Sequence, residues 1–172
     1  MQISSRFTIA VHILTCIKYF EGHIFITSEF LAGSIGVNPV IIRQIIIKLK
    51  KAGIVKVGRG RGGIKAERNL DGVRLYDVYV AVDAVSRRGM FRFHENPNPK
   101  CPVGKKIHDA LDGSLREIQR VFEDKLKSIT IGDIMTAGDF GEYNGPHPEN
   151  IMPKIIEAIR RDRVLDTFFQ KP

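Results

Sequence analysis

The sequence predicts a mainly α-helical protein carrying one small β-hairpin. Three observations lead there. First, apolar residues recur at helical spacing, most clearly Ile42, Ile45, Ile46 and Leu49 at i, i+3, i+4 and i+7. Second, Ile54, Val55 and Val57 on one side and Ile64 and Ala66 on the other bracket Arg59-Gly60-Arg61-Gly62-Gly63. That stretch is glycine-rich and has the composition of a hairpin turn. Third, Ile107, Leu111, Leu115, Ile118, Phe122 and Leu126 are spaced four, four, three, four and four, the pattern of one long amphipathic helix.

The elements follow in order. Ser4 or Ser5 can cap a first helix running to about Phe20, with Phe7, Ala10, Leu14 and Ile17 on one face and Gly22 beyond its end. Residues 24–26 read as a short β-like piece. Thr27 and Ser28 cap a second helix over residues 28–35, with Phe30, Leu31 and Ile35 turned inward. Gly36-Val37-Asn38 is a tight turn. Asn38 is a good N-cap, and Pro39 suits the first helical position, where no amide donor is needed. Gly53 stops this third helix. Two helices joined by a short glycine-containing turn form the helix-turn-helix pattern, whose second helix fits the DNA major groove while the first braces it. The basic hairpin that follows resembles the wing of a winged helix-turn-helix domain.

Asn69-Leu70-Asp71-Gly72 reads as a turn, and Leu75, Val78, Val82 and Val85 mark a helix over residues 75–85. Phe91-Arg92-Phe93 reads as extended, and residues 94–100 form a loop with two prolines. Cys101-Pro102 opens the long helix, residues 102–127, whose apolar seam suits a homodimer. Thr130 and Asp133 form a capping box for a short helix to about Met135. Residues 138–150 read as a linker, and Pro153 opens a last amphipathic helix. The resulting division is a winged helix-turn-helix domain (residues 1–88), a sensor loop with a dimerisation helix (89–135) and a C-terminal tail (136–172).

Charge points to the partner. The formal net charge is +8. Between Pro39 and Arg74 ten Lys and Arg residues face only Glu67 and Asp71, a local excess equal to that of the whole chain. From Gly89 onward, 13 bases and 13 acids cancel. Positive charge concentrated in one segment suits a polyanion. No apolar run approaches the roughly 18 residues of a membrane span. The apolar start lacks a signal-peptide cleavage pattern. Two cysteines make no disulfide framework, so a reducing cytoplasm is expected. The chain lacks a nucleophile elbow, a Walker loop and a metalloprotease motif, so no enzyme is expected.

Individual roles follow. Arg59 and Arg61 of the wing can enter a minor groove, with Gly60, Gly62 and Gly63 allowing close backbone approach. Val40, Arg43 and Gln44 lie where base edges are met. Lys48, Lys51 and Ser28 suit phosphates. Cys101, at a helix N-terminus with Lys105 and Lys106 in the next turn, is the candidate redox or electrophile sensor. Neither His12 with Cys16 nor His94 with Cys101 and His108 offers a convincing metal set, so no metal is expected.

Gln44, Leu49, Ala52-Gly53-Ile54-Val55, Arg59-Gly60, Gly62-Gly63, Leu75 and Asp77-Val78, in this order, resemble the Rrf-two family of bacterial winged helix-turn-helix transcription regulators, which includes the iron–sulfur cluster regulator. Residues 93–104 are similar to the YwnA-type branch of that family. The resemblance implies a sequence-specific DNA-binding regulator, a dimeric repressor that binds a double-stranded operator and answers a redox, electrophile or small-molecule signal. A winged-helix protein-interaction module without specific DNA binding is the alternative. Two departures stand out. Iron–sulfur members carry three cysteines in the sensor loop, whereas here only Cys101 is present, so no cofactor is expected. Arg43 replaces a Glu common in the family, so operator preference should differ.

Overall fold

The computed structural model describes residues 4–58, 62–85, 89–91 and 94–141. It contains six α-helices and one hairpin among those residues: α1 (Arg6–Phe20), α2 (Ser28–Ile35), α3 (Pro39–Lys51), β1 (Val55–Val57), β2 (Ile64–Ala66), α4 (Leu75–Ala81), α5 (Pro102–Lys127) and α6 (Ile131–Gly138). The wing tip Arg59, Gly60 and Arg61, the residues Arg92 and Phe93, and the expected last helix after Pro153 lie outside the described residues.

The capping chemistry sets the helix starts. Thr27 Oγ1 accepts from Phe30 N at 3.0 Å, and Asn38 Oδ1 accepts from Val40 N at 2.8 Å. Gly36, at φ +72°, supplies the left-handed residue between α2 and α3, whose axes differ by 113°. At the far end of α3, Gly53 N donates to Lys50 O and Ile54 N to Leu49 O, each at 3.0 Å. This pair of bonds is a Schellman cap, and it turns the chain directly into β1. The strands pair antiparallel with Lys56 opposite Lys65.

Ile42, Ile45, Ile46 and Leu49 are all buried, as their spacing requires, against Leu14, Ile17, Phe30 and Leu31. Residues 24–26 are not a strand. Ile26 contributes a single carbonyl, which accepts from Ile64 N at 2.9 Å and pins the root of the hairpin to the turn before α2. α4 ends at Ala81 rather than Val85, because Asp83 takes φ +50° and breaks the helix. α6 runs past Met135 to Gly138, with both bonds of the Thr130–Asp133 capping box formed.

α5 has two different ends. Phe122 rests against Tyr79 of α4, with ring centroids 5.8 Å apart, and Leu126 is buried in the domain core. Toward its start, Val103, Leu111 and Ile118 are exposed, so the same apolar seam packs on its own domain at one end only. No single helix among the described residues is long and apolar enough to cross a membrane.

Candidate nucleic-acid interface

The buried stripe of α3 fixes which residues face out. Opposite Ile42, Ile45, Ile46 and Leu49 lie Val40, Gln44, Ile47 and Lys51, at i, i+4, i+7 and i+11, and all four are exposed. Sequence reasoning had placed Val40, Gln44 and Lys51 at the interface. Ile47, which is 67% exposed, lies on the same line, as the 3.6-residue period requires.

The two flanks of the helix differ. On the side toward the wing, Arg43 reaches the start of α2. Its Nε donates to Ser28 Oγ at 3.2 Å, and its terminal nitrogen pairs with Glu29. Ser28 Oγ in turn donates to the Glu29 carboxylate at 3.1 Å. The backbone amide of Glu29 is the first cause holding that carboxyl below its ordinary range, with the Arg43 guanidinium adding to it. Arg43, Ser28 and Glu29 therefore form one exposed polar cluster beside the outward stripe.

On the opposite flank Lys48 is committed elsewhere. Its ammonium donates to Asp83 Oδ2 at 2.9 Å and to Val82 O at 3.2 Å, at the C-terminus of α4. The position expected to grip phosphate also ties α3 to the end of α4. Lys50 and Lys51, by contrast, form no ion pair among the described residues, and both are exposed.

The root of the wing borders the same surface. A cleft of about 330 Å³ runs between the start of α2, α3 and the hairpin, lined among others by Phe25, Ser28, Arg43, Ile47 and Gly63. Gly63 has φ +64°, and a Cβ there would lie 3.1 Å from the Phe25 ring and 3.2 Å from Ile26 O. Glycine is required by both backbone and space. In chain order Arg59, Gly60 and Arg61 come directly before Gly62.

Cys101 lies far along the chain from this surface, as the exposed N-cap residue of α5. Hydrogen bonds from the backbone amides of Gly104 and then Val103 lower its thiol pKa from the ordinary value. The first-turn amides carry this effect, as the helix N-terminus predicts; Lys105 and Lys106 are not among its causes. Gly104 is held close to the preceding loop, since a Cβ there would clash with Asn98 O. Cys16 is the opposite case. It is buried, 3.4 Å from Ser34 Oγ, and burial pushes its thiol pKa up.

Over residues 3–137 the chain matches the Rrf2 family, described as iron-dependent transcriptional regulators. It is 41% identical over 134 residues to YwnA of Bacillus subtilis (strain 168), named as an HTH-type transcriptional regulator. That alignment covers 78% of this chain and 97% of the relative. A crystal structure of a DNA binding protein is 37% identical with a TM-score of 0.60, covering 76% of this chain and 99% of that one. CymR, the global cysteine regulator of B. subtilis, shares the fold at 18% identity with a TM-score of 0.59, covering 79% and 97%. The donor set does not fit an iron–sulfur cluster. The sequence holds two cysteines, one of them buried in the core, and no three His, Cys, Asp or Glu side chains gather among the described residues.

Proposed function

The chain belongs to the Rrf2 family of DNA-binding transcriptional regulators, and we propose that it acts in the cytoplasm as a dimeric, operator-specific repressor. The observation that carries this reading is the outward stripe of α3, which includes Lys51, has Lys50 beside it, and is bordered by the wing root; neither lysine forms an ion pair among the described residues. In this reading α3 enters the major groove. Val40, Arg43 and Gln44 meet base edges, while Ser28 and Lys51 meet phosphates. Arg59 and Arg61, with Gly60 and Gly62, take the wing into the neighbouring minor groove. Lys48 contributes to the interface mainly by holding α3 in place.

Dimerisation runs through α5. The exposed apolar residues Val103, Leu111, Ile118 and Val121 would be covered by the same helix of a second copy. Two α3 helices would then read half-sites about one DNA turn apart. The signal enters at the loop before α5, where Cys101 is exposed and acidified by its helix amides. Oxidation or alkylation of this thiol would perturb the start of the dimer helix and release the operator.

The test is anisotropy of the full chain on its own promoter DNA and on random DNA at about 50 and 200 mM salt. Specific binding should exceed random binding by roughly 10³-fold or more, with a steep salt dependence of both. Equal affinity for the two DNAs would refute operator recognition and favour the protein-interaction module.

A further inference from the structure

The outermost face of α3 is not uniformly polar. Val40 and Ile47 are 52% and 67% exposed, and they alternate with Gln44 and Lys51 along one line of the helix. Neither apolar residue belongs to the core, and water-facing branched aliphatics have low value on an otherwise cationic helix. Placed in a major groove, they have a specific counterpart. The thymine C5-methyl is the one apolar group that base edges present there. Gln44, between them on the same line, matches the adjacent donor and acceptor of adenine.

We infer that Val40 and Ile47 are specificity-determining residues that read thymine methyl groups, with Gln44 reading adenine between them. The inference rests on the proposed docking of α3 in the major groove. Seven residues separate Val40 and Ile47, roughly 10 Å of helix rise. That distance spans about three base-pair steps of 3.4 Å. Each half-site therefore carries two thymines about three steps apart, with an A·T pair between them. Arg43, on the flank beside Ser28 and Glu29, reads outside this core.

The test replaces single thymines of a selected operator by uracil, which deletes only the methyl group. Each of the two thymines should lose about four-fold in affinity when demethylated, the worth of one methyl leaving water. Ile47→Ala should bind the thymine operator correspondingly more weakly and be insensitive to uracil at one position; Val40→Ala should be insensitive at the other. Both sites are exposed, so unchanged thermal unfolding serves as the control for folding. Uracil at every position leaving the native protein unaffected would overturn the inference, as would full sensitivity persisting in both variants. In either result, promoter preference over random DNA is retained and the operator reading stands. Loss of that preference in the native protein would overturn both.

Discussion

The sharpest test of the interface compares two lysines three residues apart. From the sequence, Lys48 and Lys51 are equivalent cations on one basic helix. In the structure they differ. Lys51 stands on the outward stripe without an ion pair among the described residues. Lys48 is less than a third exposed and bonded to Asp83 and to the Val82 carbonyl. Each phosphate contact contributes about 0.9 to the slope of log affinity against log salt. Lys51→Gln should therefore flatten that slope by about 0.9. Between 50 and 200 mM salt it would then lose roughly 3.5-fold less affinity than the native protein. Lys48→Gln should leave the slope nearly unchanged. It removes a partly exposed ion pair and a cation at a helix C-terminus, together about 1 kcal/mol. For a chain of this size that is a fall in Tm of roughly 2–4 °C. Anisotropy titrations at four salt concentrations and a thermal melt measure both effects. Equal slope changes for the two variants would refute the assignment of Lys48 to the α3–α4 contact.

Gly63→Ala should weaken DNA binding without unfolding the domain. A Cβ there meets Phe25 and the Ile26 carbonyl at a positive φ, so the hairpin root must move; unchanged affinity on the selected operator would count against the wing's role. Ile118→Asp should convert the proposed dimer to a monomer in sedimentation velocity, since this 52% exposed side chain lies in the proposed seam and outside the domain core. A dimer that survives this change is not built on that face of α5. Cys101 should react with iodoacetamide along a pH profile whose midpoint lies below that of an ordinary cysteine, because the Gly104 and Val103 amides stabilise its thiolate. A midpoint at or above the ordinary value would remove the physical case for sensing.

The legible parts of this fold were those written in local chemistry. The N-caps at Thr27 and Asn38, the stop at Gly53 and the capping box at Thr130 act through bonds between residues at most five apart. The core stripe of α3 follows from period alone. What the sequence could not show depends on distant segments. The commitment of Lys48 arises because α4 ends at Ala81 and leaves the Val82 carbonyl and Asp83, 34 and 35 residues further along the chain, beside α3. The clustering of Arg43 with Ser28 and Glu29 depends on the 113° angle between α2 and α3. Ile47 was visible on the same helical projection that gave the core. A single exposed isoleucine is unremarkable on a protein surface, so the projection alone gives it no role.

The C-terminal end of α5 is tied into the core that carries α3 and α4. After Lys127 the chain does not leave the domain. Leu75 N donates to Ile129 O and Ile131 N donates to Val73 O, each at 2.8 Å, so residues 129–131 are stitched to the segment that starts α4. Ile131 is fully buried beside that segment, and Leu126 joins the same core. α5 is thus held at its C-terminal end against α4, while Lys48 of α3 is bonded to Val82 and Asp83 just past the end of α4. A displacement of α5 is transmitted to the rest of the domain through these packed contacts, which gives the clamp a measurable stake in stability. Ile131→Ala would leave a cavity at a site with no exposure, at a cost of about 2–5 kcal/mol. That corresponds to a fall in Tm of roughly 5–15 °C. A single cooperative transition, shifted as a whole, is the expected melt if α6 and residues 4–85 share one core. Early loss of α5 and α6 signal, with the remaining helices melting unchanged, would show instead that α5 and α6 form a separate body.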